Sequence, residues 1–172
     1  MSILPLVQIS TEDLSNKENP LKKPCNDVDD FGSDFQKIVD DLIETFWSHR
    51  IAVGLAAPQI GIQLRVAVIN QKNNEGEPDL LIVNPKIISN TGKKDRRMES
   101  CMSLPHYAGE VERRHKISIS YQDRFGEIRK LEASGFLARI ILHEIDHLEG
   151  FLYVDRMSSL SRLESTDIFN KD

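Results

Sequence analysis

The 172-residue chain is the size of one ordinary domain and long enough to bury a core without covalent staples. A net charge of −5 and an isoelectric point near 5.6 exclude a chain-wide electrostatic grip on DNA, RNA or anionic lipid. No run reaches the roughly 18 apolar residues of a membrane span, Met1–Ser10 lacks the basic start of a signal peptide, and two cysteines suit a reducing compartment.

These bounds predict one cytoplasmic domain over residues 1–172, monomeric, with neither a membrane nor DNA as partner. Residues 1–32 are acidic and rich in turn formers (Pro5, Pro20, Pro24, Asp29-Asp30) and read as an arm lying on the domain. A helix is predicted from Ser33, with Ser33 and Gln36 as a capping box. Phe35, Ile38, Val39, Leu42, Ile43, Phe46 and Trp47 form its apolar stripe. That stripe is core packing, and His49 falls at the helix end, where a cation suits the macrodipole. Ile51 to Gly61 then gathers small residues around Pro58 and Gln59 and reads as a tight turn that lets another group approach the backbone. Gln59 is its only side chain able to donate a hydrogen bond.

Beyond this turn the period changes to two. Residues 64–70, 80–84, 86–89, 117–122 and 127–131 read as short strands, with turns at 73–76 and 123–126, and the short links favour antiparallel pairing. The basic run Lys93-Lys94-Asp95-Arg96-Arg97 reads as a solvated loop between strands. Past Gly150, Phe151–Val154 reads as a final strand. The tail, 158–172, reads as a short helix whose charges sum to −1, a poor anchor for ribosomal RNA that leaves at most a weak ribosome contact.

The chemistry concentrates in His143-Glu144-Ile145-Asp146-His147. At helical pitch the two imidazoles lie one turn apart on one face, within reach of a single metal ion, and Glu144 is placed to handle the protons of a bound water. The apolar lead-in Phe136, Leu137, Ile140, Ile141 and the stop at Gly150 support a helix there. A catalytic zinc or iron usually takes three protein ligands and keeps one position open, so another ligand is needed. Cys101, in Glu99-Ser100-Cys101-Met102-Ser103-Leu104-Pro105, supplies a thiolate suited to a divalent metal. His49, His106 and His115 have no ligand spacing. Glu99 is placed to orient a ligand or a loop, and Asp146 to pair with Arg113 or Arg114.

Three separated segments, Gly-Leu-Ala-Ala-Pro-Gln at 54–59, Glu-Ser-Cys-Met-Ser at 99–103 and His-Glu-Ile-Asp-His-Leu-Glu-Gly at 143–150, together resemble the peptide deformylases, the match running from about Phe35 to Met157. The resemblance implies an α+β fold with antiparallel strands around a central helix that carries the histidines. It implies one divalent metal held by Cys101, His143 and His147, Fe²⁺ in the cell and Zn²⁺ or Ni²⁺ after purification. The implied reaction removes the formyl group from formyl-methionine at the start of nascent peptides. Glu144 would be the acid/base, with the Gln59 amide and the Met102 backbone N–H meeting the oxyanion. The peptide would lie as an extended strand beside Val53-Gly54, its methionine in a pocket of Val53, Phe136, Ile140 and the stem of Arg139. The sequence departs from the family pattern at Ala52, Ser100, Met102, Ala108 and Leu142, none of them a ligand. Two rivals remain: a deformylase-like protein without turnover, and a zinc endopeptidase using the same helix with Glu164 as third ligand.

Overall fold

The computed structural model describes residues 2–70 and 80–166, as a single-domain α+β fold with two α-helices and a six-stranded antiparallel sheet. The strands are β1 (Gly54–Ala56), β2 (Val66–Ile69), β3 (Leu80–Cys101), β4 (Leu104–Gln122), β5 (Ile128–Ser134) and β6 (Glu164–Ser165). They run in the order β1-β2-β3-β4-β5, and β6 pairs with β4. The helices are α1 (Ser33–Ser48) and α2 (Gly135–Leu148). No helix of the described residues is long and apolar enough to cross a membrane.

The stripe on α1 packs as expected: Phe35, Val39, Leu42 and Phe46 are buried against Leu55, Val66 and Val68 of β1 and β2. Its start differs from the expectation. The N-cap is Gly32 without a side-chain cap, and the Gln36 amide donates instead to the carbonyls of Phe31 and Arg124, at 3.0 and 2.8 Å. Gln36 thus ties α1 to the turn at 123–126, where Gly126 has φ +87° and its N–H returns to the Asp123 carbonyl at 3.0 Å.

The largest difference is one hairpin. The basic run 93–97 is not a loop but the middle of β3, which also absorbs the expected strands 80–84 and 86–89. It pairs with β4, nearly as long at 19 residues against 22, including the unpredicted stretch before residue 117. Arg96 lies across from Glu112 and pairs with it at 3.3 Å, and Lys94, across from Arg114, reaches the same carboxylate at 2.6 Å. Both faces of this part meet solvent, so the alternation that betrays a half-buried strand is missing. Irregularities in the ladder between Val83/Lys86, Ile87/Ser89 and Thr91/Lys94 break the pattern further.

Other corrections are smaller. The turn at 51–61 contains strand β1 and a 3-10 turn, Ala57–Ile60, closed by Gly61 at φ +81°. Residues 151–154 form no strand; a 3-10 turn spans Tyr153–Arg156. The tail holds a 3-10 turn at Leu160–Arg162 and strand β6 in place of a helix, and 167–172, like the turn at 73–76, lies outside the described residues.

α2 lays Ala138, Ile141, Ile145 and Leu148 on the sheet face formed by Ala67, Ile69, Ile82, Ile117 and Ile119. It ends on Gly150 at φ +79°, where a Cβ would stand 2.7 Å from the Lys23 carbonyl carbon. Only glycine gives both that left-handed conformation and that close approach. The arm docks there: the Cys25 N–H caps the Leu148 carbonyl at 2.9 Å.

Candidate metal centre

α2 carries His143 and His147 one turn apart, ring centroids 4.9 Å from each other. Cys101 arrives from elsewhere, as the last residue of β3 before the two-residue turn Met102-Ser103, closed by the Cys101–Leu104 pair. Its Sγ lies 3.3 Å from His147 Nε2, and the ligand atoms of Cys101, His143 and His147 all fall within 4.8 Å of one another. A thiol and two imidazoles converging in a buried site could hold a divalent ion of the borderline class. Among the described residues no other group of three such donors comes together.

The surrounding charges prepare these donors. Burial opposes ionisation of the Cys101 thiol, yet the imidazoles of His147 and His143 outweigh it and hold the thiol well below its ordinary range. The thiolate is the form a cation takes. His143 Nδ1 sits 3.0 Å from Glu99, which fixes the ring and leaves Nε2 as the nitrogen available to a metal. Glu99 also accepts from Arg113 Nε and Nη2, at 2.6 and 2.8 Å, and from Arg139 Nη1 at 2.7 Å. Burial would raise its carboxyl, but Arg113 and His143 hold it far below the usual range. Arg113 passes the network on to Asp146 at 2.9 Å, and Asp146 also accepts from Arg156 Nη2 at 2.7 Å; Arg114 takes no part, donating to the Gly92 carbonyl. Removing one member of such a buried set typically costs about 3–5 kcal/mol, because a charge is stranded.

Glu144 is 3% exposed, and its Oε2 has no hydrogen-bond partner among the described residues. Burial is the main cause that pushes its carboxyl up to about 7, where it can both take and give a proton near neutrality. The backbone opposite is Gly54: a Cβ there would overlap Glu144 Oε1 and lie 2.7 Å from its Cδ. Gly54→Ala should therefore displace the carboxylate and lower kcat roughly 100-fold. Steady-state kinetics with metal content measured in parallel checks this; an unchanged kcat would contradict it.

Gln59 is 2% exposed. Its Oε1 accepts from the Ala56 N–H at 2.9 Å, which turns its NH₂ toward Cys101 Sγ at 3.3 Å and Ser103 Oγ at 3.2 Å. Met102 is buried beside it. A cleft of about 190 Å³ opens here, and Val53, Gly54, Phe136, Arg139 and Ile140 all line it together with Gln59, Cys101, Met102, His143 and Glu144. Phe136 and Met98, 51% and 49% exposed, stand at its mouth. Arg139 offers more than a stem: its guanidinium is held by Glu99 and by the carbonyls of Val111 and Asp95, at 3.0 and 2.7 Å. Ala52 and Leu142 are buried in the two cores beside the cleft, and Glu164 is exposed on β6, outside the donor cluster.

The sequence reading gave Asp146 either Arg113 or Arg114 as partner, and the structure has Arg113; it missed the bonds from Arg113 to Glu99 and Ser103 as a partner of Gln59. Residue 113 fell outside the expected strands, and nothing local marked either contact.

Comparison with known proteins agrees with this geometry. The family described as polypeptide deformylase matches residues 11–163. A peptide deformylase of Bartonella quintana is 41% identical over 143 residues, 83% of this chain and 79% of that protein. One from Desulfitobacterium hafniense is 38% identical over 162 residues, 94% and 99% of the two chains. The crystal structure of a peptide deformylase from Legionella pneumophila superposes with a TM-score of 0.82 at 35% identity, covering 94% of this chain and 89% of that one.

Proposed function

The chain belongs to the polypeptide deformylase family of metal-dependent hydrolases, and from that premise we propose that it removes the N-formyl group from formyl-methionyl nascent peptides in the cytoplasm, releasing formate. The observation that carries this reading is the meeting of Cys101, His143 and His147 with the Glu144 carboxylate in one cleft beside strand β1.

The donor set fits a divalent metal: a depressed thiol, two imidazoles and a carboxylate partner on His143 Nδ1. Cys101, His143 and His147 would hold it, Fe²⁺ in the cell, and when bound it supplies a Lewis acid that makes water acidic enough to ionise near neutrality. The remaining work falls to this chain. Glu144, poised near 7, takes a proton from the attacking water and returns it to the departing amine. The Gln59 NH₂, held by the bond to the Ala56 N–H, and the Met102 N–H meet the oxyanion on the former formyl carbon. β1 lies at the edge of the sheet, so a peptide can add to it by main-chain hydrogen bonds around Val53-Gly54. Such binding tolerates any downstream sequence. The apolar lining of Val53, Phe136 and Ile140 takes the methionine side chain.

Release of formate from formyl-Met-Ala-Ser with anaerobic Fe²⁺ or with Ni²⁺ tests the proposal, and absence of turnover with both metals would overturn it. Gln59→Ala should lower kcat roughly 100- to 1,000-fold, since one preformed donor to the oxyanion is lost. Metal content should stay unchanged, and equal kcat values in the two proteins would remove Gln59 from the mechanism.

A further inference from the structure

We propose that the arm segment Val7–Ile9 is a positioning clamp for the two oxyanion donors; the catalytic part of this inference rests on the deformylase reading. The Val7 N–H donates to the Gln59 carbonyl at 2.7 Å, and two residues on, from the same side of the extended arm, the Ile9 N–H donates to the Ser103 carbonyl at 2.8 Å. Those carbonyls belong to two short irregular pieces, the 3-10 turn Ala57–Ile60 and the Met102-Ser103 turn. One piece carries the Gln59 amide and the other the Met102 N–H. Neither is an interior stretch of a regular ladder, so each depends on outside partners for its place. On the site side the two pieces meet through the Gln59 amide, which donates to Ser103 Oγ at 3.2 Å and to Cys101 Sγ, at the start of the second turn, at 3.3 Å. The arm joins them from behind.

The clamp is itself anchored. Ile9 is 5% exposed, in the core cluster that contains Cys101 and Leu104. Upstream, the Leu4 N–H donates to Thr45 Oγ1 of α1 at 2.9 Å, and Thr45 is fully buried. Gly61, which closes the Gln59 turn, approaches Val7: a Cβ there would lie 3.8 Å from Val7 Cγ2. Donors that stabilise developing charge act through being fixed beforehand, and a misplacement of about 1 Å costs roughly 100-fold. A bridge between the two donor-bearing turns therefore sets kcat without touching substrate.

Proline at 7 or 9 removes one N–H, whereas alanine keeps it. In Val7→Pro and Ile9→Pro, kcat for formyl-Met-Ala-Ser should fall roughly 10- to 100-fold with KM and metal content within about twofold, while Val7→Ala and Ile9→Ala stay within about threefold of wild type. In a Gln59→Ala background Val7→Pro should cost under about threefold, because the donor it misplaces is already gone, whereas Ile9→Pro should still lower kcat through the Met102 N–H. The ¹⁵N side-chain amide signals of Gln59 should broaden or split in the proline variants and stay single in the alanine ones. Either proline variant suffices should the other fail to fold. Wild-type kcat in a folded proline variant, an equal loss in the alanine variants, or an undisturbed Gln59 amide would overturn the clamp. The amide signals are read without turnover, so a wild-type chain that releases no formate would count against the deformylase reading alone.

Discussion

Cys101→Ala should empty the site: metal content is expected to fall from about one ion per chain to near zero, and formate release to background. The sulfur is one of three potential ligand atoms that lie within 4.8 Å of one another, and on the proposed reading its removal should weaken metal binding beyond the roughly 10- to 100-fold typical of an outer partner such as Glu99. Metal analysis after gel filtration, beside Glu164→Ala, makes the test discriminating. Glu164 is exposed on β6 and shares no site with the histidines, so that variant should keep its metal. The opposite pattern, metal kept without the sulfur and lost without Glu164, would turn the argument toward an endopeptidase.

Glu144→Ala should act differently. With the carboxylate gone and Cys101, His143 and His147 intact, metal content should hold while kcat falls roughly 100- to 10,000-fold, the range for a positioned acid/base. Glu144→Gln should lose nearly as much, since an amide of the same shape cannot cycle a proton. A variant with wild-type turnover would leave the site a metal-binding cleft with some other base.

What could be read from the sequence was what leaves a side-chain signature. The stripe from Phe35 to Trp47 is one face of α1, and the pair His143 and His147 lies on α2, because burial at helical spacing is written in residue type. Cys101 could be matched to the histidines as the donor they lacked. The middle of the β3–β4 hairpin was hidden because cross-strand pairs such as Arg96 with Glu112 hold it without an apolar face. Leu152, Tyr153 and Val154 are consecutive buried residues, and such a run fits a strand or a tight helical turn equally well. The arm was the least legible part, since its decisive contacts run from main-chain N–H to main-chain oxygen and leave no mark on the choice of Val7 or Ile9. Gln59 lay in a run of small residues, and only the position of Cys101 and Ser103 in space gives its amide a purpose.

The bond from the Gln59 amide to Cys101 Sγ, the Cys101–His147 contact and the Glu99–His143 contact close loops of 42, 46 and 44 residues. Each closure must be paid in chain entropy before its contact returns anything. A refolding chain can thus acquire its two helices early, from neighbours in sequence, and still be inert. Competence would arrive with the last long-range closure, so recovery of helical signal after dilution from denaturant should precede recovery of activity.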